Sequence, residues 1–557
     1  ACLVGSEMCI RDRSNALLNN VIRDIVFPQK IIYSEKVIKA EEILNSRITQ
    51  VIMPFKDGTV IEKVGYIILD FGKEIYGNLR VLTGEKTGEG SLSVTLGESV
   101  AEAMYHVGEF GSCNDHSIHE YVFSVSAHSD FISSKTGFRF ARIGTNASSF
   151  CIASVMAESE MSDLERIGFF RSDDEMINKI AETAAYTAML CIQNGVIWDG
   201  IKRDKSVWIG DLHPEMLTVS QLYGAIPQIK NSLSFVKYYV PKAWVNCHPA
   251  YSAWWIICLA DYYFLSADAD FVTEVMPYLD MILSAFNNVI KEDGAISFEN
   301  SKEEIYQDAE FFFDWPTNFK DDRKIGFASL IRIAMDKARF LQREFGKESN
   351  LAEVIYSRLG KREIPDSKYK QVEAFNYLSG DKTIGVKEAI AAGGSRGMTC
   401  FMGYYILTAA AKCEVKNTLD IIKDFYGGMI SLGATTFWED FDVEWLIDRP
   451  QGLDEIPNKN RKNIHRDYGK YCYKQLRHSL CHGWAAGVYA FFIRTILGVV
   501  PVAAGYKKIR ITPNLLGLKF AEGKVPTPYG EIYVKHVLKD GKIAVSYTHL
   551  RAHETGR

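Results

Sequence analysis

The sequence predicts a multidomain protein of α and β structure: an N-terminal antiparallel β-sandwich, a central (α/α)6 toroid and a small C-terminal β domain. Two changes in apolar periodicity support this prediction, because strand-like runs give way to helical stripes near residue 166 and return after residue 497. The length of 557 residues agrees, since single cores rarely grow beyond about 250–300 residues. The predicted domains are 14–165, 166–497 and 498–544.

The region from about residue 36 to residue 158 is predicted to form strands. Its apolar and β-branched residues occur in short runs bounded by Gly, Asn, Asp and Ser, which favour turns. The runs are GYIILDFG, GNLRVLTG, SLSVTLGES, DFISSKTG and GFRFARIGT. Many short strands separated by turns are typical of an antiparallel β-sandwich.

The central region is predicted to be helical. Ser172 and Glu175 form a capping-box pattern ahead of an apolar stripe that ends near Asn194. Long aromatic and polar loops join the helices, and few strand runs separate them, which favours a toroid of helix pairs over an α/β barrel. Further helices are predicted at about residues 214–223, 231–239, 252–265, 271–290, 327–345, 351–359, 398–412, 419–432 and 482–496.

The two ends of the chain differ from the rest. Residues 1–13 and 545–557 resemble translated sequencing-adapter read-through, and neither segment has a periodic apolar pattern. We therefore expect both to be foreign to the protein and the C-terminal β domain to be truncated. On this interpretation the beginning of the chain indicates neither secretion nor retention, so no localisation is predicted.

Composition excludes several classes of function. A formal charge of -5 and a pI near 6.2 argue against a nucleic-acid partner, and no apolar run is long enough to span a membrane. With Cys2 and Cys9 set aside, the remaining cysteines form no C-x-x-C pair, so no zinc site or disulfide framework is predicted. We expect no metal or other cofactor, and the oligomeric state is not indicated.

The segment 198–211, WDGIKRDKSVWIGD, carries the clearest functional signal. Buried anions need solvent, counter-charges or a ligand whose hydroxyls donate hydrogen bonds, and tryptophan faces pack well against sugar rings. The segment therefore predicts a carbohydrate site, the alternative being a solvated, salt-bridged surface loop. Its acidic, basic and indole side chains are Asp199, Asp204, Asp211, Arg203, Trp198 and Trp208.

Over residues 60–544 the chain resembles the α-L-rhamnosidases of glycoside hydrolase family 78. The resemblance depends on several motifs in the family's order, followed by a C-terminal stretch that is similar to the start of the family's last β domain. These motifs are LDFGKEIYGNLRV, GFRFARIG, DGIKRDKSVWIGD, FFFDWPT, GATTFWEDFD and PVAAGYKKIRITPNLLGLKFAEGKVPTPYGEI. The resemblance implies an inverting glycosidase that removes terminal α-L-rhamnose from a carbohydrate substrate.

The resemblance also implies roles for individual carboxylates. It places the general acid at Asp204 and the general base at Glu439, while Asp199 and Asp211 hold sugar hydroxyls. Many family members have a glutamate where this chain has a lysine after Asp204, and Glu215 is the reserve candidate for the acid. An inverting enzyme needs such a pair roughly 6.5 to 9.5 Å apart, with one group protonating the leaving oxygen and the other activating water.

Further substrate contacts are implied around this pair. A D-W-P turn that merely caps a helix is the alternative for the FFFDWPT motif, and a structural role is the alternative for the histidine. The predicted substrate-binding residues are Arg203, Trp208, Asp314, Trp315, Trp438 and His482. A predicted helix with an apolar face typical of a core begins near His248, Trp254 and Trp255. The alternative for this group is that one of its members lines the pocket.

Two other functions stay open at this point. One is another (α/α)6 carbohydrate enzyme, such as a uronyl hydrolase or a phosphorylase, and the other is a non-catalytic carbohydrate-binding relative. Asp204 distinguishes the last of these, because a binding module needs no acid that faces Glu439 across a pocket.

Overall fold

The computed structural model describes residues 20–45, 58–115, 117–239, 242–299, 301–318, 320–347 and 349–549. The predicted foreign segment 1–13 lies outside these residues, and so does 550–557. Within the described ranges, no helix combines the length and the apolar character needed to cross a membrane.

The N-terminal region is an antiparallel β-structure around its own apolar core. Its longest strand is bent by bulges and pairs with four others, so one sheet encloses the core from more than one side. This agrees with the predicted sandwich. The elements are β1 (Val21–Val26), β2 (Lys30–Ile38), β3 (Thr59–Thr87), β4 (Leu92–Gly97), helix α1 (Val100–Met104), β5 (Glu120–Phe123), β6 (Asp130–Ile132), β7 (Thr136–Thr145) and β8 (Ser149–Ser162).

The central region is a double ring of helices, as predicted. Alternate helices form an inner ring in which each contacts the next and the last contacts the first, and the others pack outside it. The inner helices are α3 (Ile209–Tyr223), α5 (Pro249–Ser266), α7 (Asp322–Glu344), α9 (Lys370–Leu378), α11 (Gly403–Lys412) and α13 (Gly487–Phe491). The outer helices are α2 (Glu175–Leu190), α4 (Pro227–Tyr239), α6 (Ala269–Val289), α8 (Leu351–Leu359), α10 (Val386–Ala391) and α12 (Thr418–Ser431).

The C-terminal region is a small β domain that includes one strand from the chain segment before the toroid. Strand β9 (Phe169–Ser172) precedes the helices in the chain but pairs with β14, completing a four-stranded antiparallel sheet. The last strand runs past the boundary predicted at residue 544. The remaining strands are the hairpin β10 (Ile192–Gln193) and β11 (Val196–Ile197), then β12 (Val499–Pro501), β13 (Ile509–Ile511), β14 (Phe520–Thr527), β15 (Gly530–Lys539) and β16 (Lys542–His549).

The beginning of helix α2 differs from the prediction. Asp174, not Ser172, is the N-cap, and its carboxylate accepts a hydrogen bond from Ile177 N at 3.0 Å. Ser172 is the last residue of β9 and its hydroxyl contacts Asn178, because pairing with β14 draws it into the strand. Helices α9 and α10 were not predicted.

Candidate active site

Three chain segments meet at one end of the toroid. The segment 198–211, here called the acidic loop, leads from β11 into the first turn of α3. Within it, Gly200 forms an antiparallel bridge with His482. Gly483 N donates to Asp199 O at 2.7 Å, and His482 N donates to Phe437 O at 2.9 Å. Residues 479–482 therefore lie between residues 436–439 on one side and the acidic loop on the other.

A pocket of about 170 Å³ opens between these segments. Acidic side chains form one part of its wall and aromatic side chains form the rest. The lining residues are Asp199, Arg203, Asp204, Trp208, Asp211, His248, Tyr251, Phe312, Trp315, Phe401, Glu439, Cys472, Tyr473, His482 and Trp484. Both candidate catalytic carboxylates line the pocket together with most of the predicted substrate contacts.

Glu439, the predicted base, is buried and held on both sides of its carboxylate. Oε2 accepts a hydrogen bond from Ser479 N at 3.0 Å, and Oε1 forms an ion pair with the guanidinium of Arg203. The Glu439 backbone is fixed as well, because its carbonyl accepts from Trp484 Nε1 at 3.1 Å. The orientation of this carboxylate is therefore set by backbone and side chain together.

Asp204, the predicted acid, lies nearer to solvent. Its side chain is 22% exposed and its carboxylate pairs with Arg203 Nη1 at 3.2 Å, so one guanidinium bridges the two candidate catalytic groups. Asp204 and Lys205 both adopt positive φ, 54° and 49°, a costly conformation that recurs at functional sites. The Lys205 ammonium contacts the carbonyl of Lys135 in the sandwich, outside the pocket.

Asp199, Asp211 and His482 form the buried acidic wall. His482 Nε2 lies 3.8 Å from Asp199 Oδ2, 3.9 Å from Asp211 Oδ2 and 3.6 Å from Glu439 Oε1. Burial and neighbouring carboxylates raise the pKa of both aspartates well above the usual value, and burial lowers the pKa of His482 to about 3. The imidazole is therefore neutral at physiological pH, and Arg203 is the cation that lines the described part of the pocket.

Glu215, the reserve acid, is placed behind the wall. It is buried one helical turn after Asp211 on α3 and does not line the pocket. Its carboxylate packs so closely on Gly483 that a Cβ there would lie 2.2 Å from Oε1. Burial raises its pKa well above the usual value. Its position makes it a weaker candidate for the proton donor than Asp204.

Two predicted substrate contacts lie outside the pocket. Asp314 is buried, accepts from Trp315 N at 3.0 Å and from Gln371 and Thr399 at 3.1 Å each, and so acts as the turn cap that was its alternative. Trp438 is only 1% exposed and packs edge-on against Phe441. Asp314 precedes Trp315 and Trp438 precedes Glu439, and both of these neighbours line the pocket. Adjacency in the sequence does not determine the direction of a side chain.

The aromatic part of the pocket was largely missed. Tyr251 packs edge-on against Trp208 with a centroid distance of 6.0 Å, and His248 stacks on Tyr251 at 4.8 Å. Of the helix group weighed above, His248 thus lines the pocket, whereas Trp254 and Trp255 are buried in the core. The other aromatic side chains that the prediction missed are Phe312, Phe401, Tyr473 and Trp484. A signal existed for Trp484, which follows His482 closely in the chain, and for Phe312, which lies in the FFFDWPT motif.

A second acidic cluster lies between the sandwich and the acidic loop. Glu98, Glu102 and His465 form the group of described side chains whose spacing would suit a metal ion. The ammonium of Lys202 lies 2.8 Å from Glu102 and 3.5 Å from Glu98, so a lysine already supplies the positive charge. This donor set therefore does not fit a metal centre.

Comparison with known proteins agrees with the predicted fold. Residues 498–548 match the family profile of the Bacterial alpha-L-rhamnosidase C-terminal domain. An α-L-rhamnosidase of Alteromonas sp. (strain LOR) is 25% identical, and the alignment covers 86% of this chain and 54% of the relative. The chain thus spans about half the length of that curated relative.

Solved structures share the architecture. A family 78 rhamnosidase of Bacillus sp. GL1 superposes with a TM-score of 0.70 at 20% identity, covering 91% of this chain and 54% of the other. A Klebsiella oxytoca rhamnosidase with rhamnose bound gives 0.65 at 17% identity, covering 86% and 97%. The fold is therefore a helical toroid with flanking β domains, an architecture that these rhamnosidase structures share. In sequence the chain is similar to an α-L-rhamnosidase, and in fold to a rhamnosidase of glycoside hydrolase family 78, as the sequence resemblance indicated.

Proposed function

We propose that this chain hydrolyses glycosides of terminal α-L-rhamnose, with inversion at the anomeric carbon. The observation that carries the proposal is the placement of Asp204 and Glu439 in one pocket, bridged by the guanidinium of Arg203. The rhamnose found in the Klebsiella oxytoca relative supports the choice of sugar.

The reaction needs two proton transfers. Asp204, in its protonated form, gives a proton to the glycosidic oxygen as the bond to the anomeric carbon breaks. Glu439 takes a proton from a water molecule whose oxygen attacks that carbon on the opposite face. The products are the free sugar of inverted configuration and the alcohol. The partial exposure of Asp204 suits an acid that must recover its proton from solvent.

The wall of the pocket suits a polyhydroxylated ligand. Asp199 and Asp211 are buried and can accept hydrogen bonds from sugar hydroxyls. Such bonds strengthen as positive charge develops on the sugar ring in the oxocarbenium-like transition state. They therefore stabilise the transition state more than the bound substrate and increase the rate. Buried nitrogen atoms at the pocket also lack hydrogen-bond partners among the described residues: Trp208 Nε1, His482 Nδ1 and Arg203 Nε. Such groups are costly unless a ligand or water satisfies them.

The test is hydrolysis of a panel of p-nitrophenyl glycosides that includes the α-L-rhamnoside, with and without phosphate. We expect release from the α-L-rhamnoside without phosphate, and NMR should show the inverted anomer first. Retained configuration would contradict the mechanism, and turnover of another sugar alone would contradict the substrate. Phosphate-dependent release would indicate a phosphorylase, and no turnover would favour a binding relative.

Two variants test the assigned roles. Glu439→Gln and Asp204→Asn should each lower kcat/KM by about 10³-fold, since each removes one half of the acid and base pair. Glu158→Gln in the sandwich, whose carboxylate pairs with Arg80, is the matched control and should keep full activity. If Asp204→Asn keeps full activity, the acid lies elsewhere, and Glu215→Gln is then the next variant.

A further inference from the structure

The buried ion cluster between the sandwich and the acidic loop reaches toward the active site. Glu98 and Glu102 come from the turn after β4 and from α1, and Lys202 precedes Arg203 in the loop. All three side chains are at most 10% exposed. The Lys202 ammonium also donates to the carbonyls of Leu476 at 2.7 Å and His478 at 2.8 Å. The cluster is therefore hydrogen-bonded to the segment that leads to Ser479.

Two connections run from this cluster to the Glu439 carboxylate. In the first, Glu98 Oε2 accepts from Leu480 N at 2.6 Å and Oε1 accepts from Ser479 Oγ at 3.4 Å, while Ser479 N donates to Glu439 Oε2 at 3.0 Å. In the second, Lys202 is the chain neighbour of Arg203, which pairs with Glu439 Oε1. Both oxygens of Glu439 are thus held by groups anchored on the same cluster.

The energetics argue against a purely stabilising role for the cluster. Removing charges from water costs several kcal/mol per ion, and a well-packed apolar replacement is often as stable. Burial raises the pKa of Glu98 to about 8, which reflects this cost. An apolar residue could not supply an acceptor for the amide of Leu480 and the hydroxyl of Ser479. The amide of Ser479 is the donor to Glu439.

We propose that Glu98 is a positioning residue for hydrolysis: by fixing residues 479–480 from the sandwich side, it sets the direction of the Glu439 carboxylate. The sandwich is then part of the catalytic apparatus. This inference rests on the proposed function. A misplacement of about 1 Å in a catalytic group can cost about 10²-fold in rate, so a change at Glu98 affects kcat without contact to substrate.

Three variants test this role. Glu98→Ala removes the acceptor, and Glu98→Asp withdraws it by one methylene and keeps the carboxyl group. Glu98→Gln keeps an acceptor oxygen at full reach. We expect Ala to lower kcat by about 10²-fold and Asp by about ten-fold, with KM nearly unchanged, and Gln to stay within about three-fold of the wild type. Glu160→Ala, another buried sandwich carboxylate, is the control and should keep its kcat.

Hydrogen exchange separates this inference from the proposed function. In the absence of substrate, the amides of Ser479 and Leu480 should exchange faster in Glu98→Ala and Glu98→Asp than in the wild type or in Glu160→Ala. Unchanged exchange would overturn the inference whether or not the protein is active. A wild type without glycosidase activity but with this exchange pattern would overturn only the proposed function. A kcat equally low in all four variants would show a general loss of structure and overturn the inference.

Discussion

Helix α3 contributes a residue to each of two buried acidic sites, and these sites are built in opposite ways. Asp211 faces the pocket, and His213, two residues later, bonds to Asp261 at 3.0 Å in the interior of the toroid. The Lys337 ammonium lies 2.5 Å from the other oxygen of Asp261, and His213 Nδ1 contacts the Tyr405 hydroxyl at 2.7 Å. Every charge in the interior site therefore has a partner within the protein.

The pKa values move in opposite directions. Burial alone would raise the pKa of Asp261, but Lys337 and His213 outweigh it and hold the pKa well below the usual value. Burial raises the pKa of Asp211, and Glu439 and Asp204 raise it further. The protein supplies partners for Asp261 itself, and we propose that a ligand supplies them for Asp211. The first contributes to stability, and we expect the second to contribute to function.

The largest effect should follow from breaking the interior site. Asp261→Ala leaves Lys337 and His213 without their acceptor, and loss of one member of a buried pair costs about 3 kcal/mol of unfolding free energy. Denaturant unfolding measures it. Asp336→Ala on the same helix as Lys337, with a side chain 63% exposed, should change stability by less than about 0.5 kcal/mol. Equal stability of the two variants would show that the interior network stabilises nothing.

Much of the fold was predictable because it depends on periodicity. The change from alternating runs to helical stripes near residue 166 separates the sandwich from the toroid, and α8 has the predicted bounds, Leu351–Leu359. Helix α9 has the same length as α8, and neither begins with a capping side chain, yet α9 was not predicted. The pairing of β9 with β14 was also hidden, since the two strands are separated by the entire toroid and pair only after the chain folds.

The candidate site divides in the same way. Asp199, Asp204 and Asp211 could be located because one loop carries all three, and Glu439 because it stands in a local motif. Tyr251 and the other missed aromatic residues converge from separate elements, so no spacing reveals them. The cluster around Glu98 was not predicted either, because its members come from two domains and meet only in the folded protein.

The next effect sharpens the functional half of the comparison. Asp211→Asn should lower kcat/KM for the aryl α-L-rhamnoside by about 10²-fold, since it weakens a hydrogen bond that strengthens in the transition state. Stability should not fall, because the charge that it removes is already disfavoured by burial. Kinetics and thermal unfolding of one preparation check both halves. Full activity with lower stability would show that Asp211 contributes to stability and not to function.

The pH dependence of stability offers a smaller test. A carboxyl with a raised pKa in the folded state binds its proton more tightly there, so its contribution to stability falls as pH rises above the unfolded value of about 3.9. The double variant Asp199→Asn, Asp211→Asn removes this penalty. Relative to the wild type, it should gain at least about 1 kcal/mol between pH 4 and pH 8 in urea unfolding. No gain would show that solvent already satisfies both groups.

The smallest effect compares two tryptophans. Trp315 lines the pocket and stacks on Tyr471 with a centroid distance of 6.1 Å, whereas Trp438 is buried beside the base without reaching the cavity. Trp315→Ala should raise KM about five-fold, the equivalent of about 1 kcal/mol of aromatic contact, and leave kcat nearly unchanged. Trp438→Phe should lower the melting temperature and leave KM unchanged. An increase in KM for Trp438→Phe alone would support the predicted contact between Trp438 and the substrate. It would also show that the pocket changes conformation when the sugar binds.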